Sequence, residues 1–171
     1  MFWKKAISVT LLFVILLAPA VQARVTSVTD NTVTTPPISA SDEEYEIFQL
    51  INRERSRSRL SILEWDNGVA ELARSYSRKM AREGFFDHVD RDGNSVIQRA
   101  DRSNVKGWQK IGENLFVCEP INRFSDIAVR GWMKSPAHRR NVLDREWTTT
   151  GIGVARARDG SIYVTQVFIE R

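Results

Sequence analysis

The chain has 171 residues, enough for one domain with a real core and few for two of ordinary size. An apolar fraction of 42% and a charged fraction of 27% are those of an ordinary folded protein and argue against both a disordered chain and a membrane bundle. The net charge of +4 does not point to nucleic acid: Lys and Arg are interspersed with Asp and Glu, the run RERSRSR at 53–59 reads as a solvated helix end, and no groove-reading motif accompanies it.

The amino terminus reads MFWKK, a short basic head, followed by an apolar run from Ala6 to Ala18 and then Val21-Gln22-Ala23. This is the pattern of a secretory signal peptide over residues 1–23, because the run is shorter than the roughly 20 residues that span a bilayer. Export follows as the expectation, to a secreted or extracytoplasmic location (periplasm or cell surface), with no membrane span left after cleavage. Loss of Lys4 and Lys5 lowers the net charge to +2. Residues 24–41, rich in Thr, Val and Ser with Pro36-Pro37, read as an extended linker, so the domain is expected over 42–171.

Ser41-Asp42-Glu43-Glu44 has the form of a capping box, and the helix it opens carries Ile47, Phe48, Leu50 and Ile51. A second helix is expected from Asp66, where Val69, Leu72, Ala73, Tyr76 and Met80 make one stripe, with Gly84 as its stop. A loop at 85–95, a short helix at 95–101, a strand at KIGENLFV and a helix over 122–133 follow. Ser135 and Pro136 then suit the cap and first position of another helix. The last part, GIGVARARDGSIYVTQVFI, is a hairpin around Asp159-Gly160; a two-residue type I′ turn there sets Arg158 against Ser161 and Gly153 against Gln166, where glycine leaves room for the amide. Helices first, then strand, more helix and a terminal hairpin argue for an α+β fold with an antiparallel sheet covered by helices.

Only two histidines occur, His88 in FFDHVDRDG and His138 in SPAHRRN. His138 lies at a helix start, where the positive end of the dipole disfavours protonation and favours a neutral imidazole, suited to a metal, to accepting a proton or to a local hydrogen bond. Glu113 shares strand alternation with Ile111 and Leu115, so its carboxylate either reaches a cleft rim or lies among apolar neighbours, where a histidine or an arginine would have to pair with it. Around His88 the pattern H-x-D-x-D-G imitates part of a calcium loop, but the closing position holds Arg99, so a turn at Asp92-Gly93 is the simpler reading. G-x-S-x-G and H-E-x-x-H are absent, and Ser135 is expected to spend its hydroxyl on capping rather than on nucleophilic attack. Cys118 is the single cysteine, which rules out a disulfide within the chain and reads as a structural thiol.

The series NRER at 52–55, LEWD at 63–66, GFFDH at 84–88, GENL at 112–115, GWMKSPAHRRNVL at 131–143, GIGVA at 151–155 and YVTQVF at 163–168 resembles the CAP superfamily of cysteine-rich secretory proteins, antigen 5 and pathogenesis-related proteins, in its bacterial, cysteine-poor branch. The resemblance implies a three-layer α-β-α sandwich with a central antiparallel sheet. It also implies one cleft holding His88, Glu113 and His138, with Ser135 at the position where eukaryotic members carry a second acid; Gln166 of the hairpin is expected at the same cleft. Two imidazoles and a carboxylate match a three-ligand site with an open position for zinc or another divalent metal. Three roles follow: a secreted module binding an extracellular or envelope ligand, which is favoured over an enzyme; a metal-assisted hydrolase of peptide or envelope material with Glu113 as base; or a structural His/Glu cluster with function on another surface.

Overall fold

A computed structural model describes residues 41–103 and 105–171. The expected signal peptide and nearly all of the expected linker lie outside the described residues. Helix α1 (Asp42–Arg57) opens on the expected capping box: Ser41 Oγ accepts from Glu44 N at 3.3 Å and Glu44 Oε2 accepts from Ser41 N at 3.0 Å. Glu44 is itself buried and also receives Arg74 through Nε and Nη2, the latter at 2.7 Å, and the Val154 amide at 3.2 Å. One carboxylate thus caps α1 and ties it to a second helix and a strand.

The chain continues through β1 (Glu64–Trp65), α2 (Asn67–Glu83), α3 (Val96–Arg102), β2 (Lys110–Cys118), α4 (Phe124–Lys134), α5 (Pro136–Val142), β3 (Thr149–Arg156) and β4 (Ile162–Glu170). Asp66 caps α2 by accepting from Val69 N at 2.8 Å, and Gly84 ends it at φ 64°. The strands form one sheet in the order β1-β3-β4-β2, antiparallel except for the short β1–β3 pair, which is parallel. One face packs Ile152, Val164 and Phe168 against Ile47 and Ile51 of α1, Trp132 of α4 and Val142 of α5. The other packs Val167 and Ile169 against Val69, Leu72 and Ala73 of α2 and Ala100 of α3. This is the α+β fold read from the order of elements and the three-layer α-β-α sandwich that the resemblance implies.

The hairpin register differs from expectation by one residue. Ala157 N donates to Ser161 O at 2.8 Å and Gly160 N to Ala157 O at 3.0 Å, so the loop has three residues, with Gly160 left-handed at φ 87°. Gly153 therefore faces Thr165, and Gln166 faces Ile152. The two β3 glycines serve a different purpose from accommodating Gln166. A Cβ on Gly151 would lie 2.1 Å from Ala70 N, and one on Gly153 would lie 2.1 Å from Arg74 N, so α2 rests its backbone on β3. Backbone cannot yield as a side-chain tip can. Gly151→Ala or Gly153→Ala is expected to cost about 3 kcal/mol or more in urea unfolding.

Arg55 of the NRER run is fully buried and spends its donors on carbonyls: Ser61 O at 2.9 Å, Val142 O at 2.9 Å, Asp144 O at 2.7 Å and Trp147 O at 3.4 Å. It closes the carboxyl end of α5 and the approach to β3. Arg55→Met would keep the volume while stranding buried acceptors, and is expected to lower unfolding free energy by about 3 kcal/mol.

Candidate functional site

The site lies beside β2, where elements from both helical layers meet. Glu113 is on the β2 face turned toward α2, opposite Val167, with its side chain only 3% exposed. Its Oε1 accepts from His88 Nδ1 at 2.8 Å and its Oε2 from Arg99 Nη2 at 2.5 Å. Of the two partners the sequence left open for this carboxylate, histidine and arginine, both are present. Facing a guanidinium, the carboxylate acts as an acceptor only, so His88 carries a proton on Nδ1.

His88 sits in the loop between α2 and α3, and that loop is pinned at several points. Tyr76 of α2 donates its hydroxyl to Asp87 O at 2.5 Å. Asp90 Oδ1 accepts from Asp92 N at 3.0 Å and Asn94 N at 2.8 Å, and Gly93 takes φ 79°, so the turn expected at Asp92-Gly93 is organised by Asp90. Asp92 instead pairs with Lys79 at 2.7 Å. Arg99 of α3 donates to His88 O at 3.1 Å and Asn94 O at 2.8 Å, with its guanidinium carbon 3.3 Å from the Tyr76 ring centroid.

His138 comes from the opposite layer, in the first turn of α5. Its Nδ1 is 2.9 Å from Ser135 Oγ. Ser135 occupies the cap position yet makes no side-chain bond to a backbone amide, so its hydroxyl serves the imidazole and does not cap the helix. Asn141 holds α5 on β2 by donating to Glu113 O at 3.1 Å and Asn114 Oδ1 at 2.9 Å, while Asn114 Nδ2 donates to His138 O at 3.2 Å. A groove of about 280 Å³ lined by Phe86, Leu115, Phe116, Trp132, Ser135 and His138 runs alongside.

Gln166 is not part of this lining. It is fully buried beneath β2 and β3, with Nε2 donating to Thr150 Oγ1 at 3.2 Å and Oε1 unbonded. The expectation of a cleft glutamine fails because the one-residue register change turns it into the α1/α4/α5 core. Arg99, Asn114 and Asn141 escaped sequence reasoning. The need of a buried carboxylate for an arginine was legible, but nothing local marked Arg99 among 25 basic residues.

The three residues expected as metal ligands do not converge as a set. Both Glu113 oxygens are engaged, and among the described residues no three His, Cys, Asp or Glu side chains group as a metal requires. Cys118 stands apart, its thiol pushed up by burial.

Comparison with known proteins agrees with this architecture. The model of the cysteine-rich secretory protein (CAP) family matches residues 48–168. The chain belongs to the CAP family. This CAP domain is 33% identical over 147 residues to the uncharacterized membrane protein YlbC of Bacillus subtilis (strain 168), an alignment covering 79% of this chain and 39% of YlbC. An extracellular protein containing a SCP domain from Bacillus anthracis str. Ames superposes with a TM-score of 0.64 at 32% identity, over 75% of this chain and 40% of that one. This chain therefore spans about two fifths of the length of each. An outer surface protein from Borrelia burgdorferi shares the fold, with a TM-score of 0.68 at 20% identity over 78% of this chain and 96% of its own. Among the described residues no helix is long and apolar enough to cross a membrane.

The two imidazoles of the CAP cleft are driven apart in acidity. The hydrogen bond to Glu113 raises the His88 pKa above its ordinary 6.5, while burial, then the His88 charge, lowers that of His138. Two separate histidine titrations are expected by NMR, His88 at the higher pH. Because the raised group has gained a partner, its stabilisation is complete below the unfolded value and is lost as pH rises through the folded one. The stability difference between wild type and His88→Ala should accordingly narrow as pH rises from the unfolded histidine value of about 6.5 through the raised folded one.

Proposed function

We propose that this CAP domain is an extracytoplasmic binding module, taking its ligand in the groove that runs from Phe86 and Phe116 to His138. The observation that carries this reading is the contrast within the site. Glu113 has each oxygen committed to a cationic or proton-donating partner, whereas the groove beside it is open and lined by aromatic side chains. Such a surface offers apolar contact with a few polar groups for orientation, the usual make-up of a binding site. A hydrolase using Glu113 as base would need it within reach of a substrate or water proton, whereas its side chain is 3% exposed and turned to His88 and Arg99. The bacterial solved relatives support the location, one being an extracellular protein and the other an outer surface protein.

A binding site predicts saturable shifts without turnover. Titration with short envelope-type peptides and glycans, followed by NMR at the Trp132 indole and both imidazoles, should move these resonances together. Phe116→Ala should weaken the interaction by about tenfold, the equivalent of about 1.4 kcal/mol. Hydrolysis of a fluorogenic peptide or ester panel that disappears in His138→Ala would overturn the binding reading in favour of catalysis.

A further inference from the structure

A single guanidinium occupies the centre of the cleft's support. Arg99 is always charged, its side chain is only 10% exposed, and it meets Glu113 Oε2, His88 O, Asn94 O and the face of Tyr76 together. Four contacts in different directions leave it no alternative rotamer that keeps more than part of them. We infer that Arg99 serves as the resident cation of Glu113 in this chain, removing that carboxylate from any metal ligand set.

Charge is what decides the competition. A divalent ion bound by Glu113 would have to share an oxygen that already accepts from His88 Nδ1–H or from the Arg99 guanidinium, and would sit as a second positive centre beside a nearly buried arginine. The guanidinium already supplies the favourable Coulomb interaction that a metal would bring, through a charge-assisted bond of 2.5 Å. His88 keeps Nδ1 on Glu113, and His138 keeps Nδ1 on Ser135. A metal entering the cleft is thereby left without the Glu113 carboxylate and without either Nδ1.

The inference rests on the proposed cleft only for its location, and zinc alone tests it, whether or not an organic ligand is ever found. Calorimetric titration of zinc should give an isotherm that Glu113→Gln changes by less than about threefold, or no binding in either protein. Arg99→Gln should gain zinc affinity by at least about tenfold, and the gain should vanish in the Arg99→Gln/Glu113→Gln double variant. One equivalent bound by wild type and lost in Glu113→Gln would overturn the inference, as would Arg99→Gln with no gain. A crystal structure of wild type grown with zinc needs no variant to fold. Glu113 still on Arg99 supports the inference, and a Glu113 oxygen within about 2.2 Å of the metal refutes it.

Discussion

The site depends on how closely α2 lies against β3. At Gly151 and Gly153 the helix backbone takes the space that side chains would fill, and Ser77 Oγ then donates to Gly153 O at 2.9 Å, with Thr165 Oγ1 2.8 Å away. Helix height over the sheet fixes where Tyr76 stands. Tyr76 in turn holds Asp87 O with its hydroxyl and carries Arg99 on its ring. The His88 loop is therefore placed by a contact between two backbones, several residues away from any imidazole.

Electrostatics then divides the labour between the two histidines. His88 lies against a carboxylate shared with arginine, whereas His138 has a hydroxyl for its partner and a neighbour of its own kind. Two identical side chains are thus differentiated by environment. The opposite helical layer is anchored independently, through Arg55 at the carboxyl end of α5 and Asn141 on β2. Loop and helix approach the same strand from separately secured positions, so the cleft geometry belongs to the fold as a whole.

Local chemistry makes much of this legible. Capping at Ser41, the helix start at Asp66, the α2 stripe, the stop at Gly84 and the Pro136 helix start are each written within a few residues, and each stands in the structure. The expectation that His88, Glu113 and His138 share one cleft comes from resemblance, since no short-range pattern links residues that far apart. Failures arise where the deciding partner is distant. The hairpin adopts a three-residue loop because Gly160 takes the left-handed position after a turn, which Asp-Gly alone does not distinguish from a two-residue loop. That single step moves Gln166 into the core, and the purpose of the β3 glycines becomes visible only once α2 is laid across them. Ser135 looks like a cap from its neighbours, and only its contact with His138 in place of a backbone amide shows otherwise.

Among the described residues, strand β2 has β4 on one side and no strand on the other. The carbonyls of Glu113 and Leu115 are instead taken by side chains, Asn141 Nδ2 at 3.1 Å and the Trp132 indole at 2.8 Å. An edge with two of its acceptors already engaged is a poorer template for another chain. A domain without a disulfide among its described residues is in this way guarded against edge-to-edge aggregation by the same helices that frame its groove.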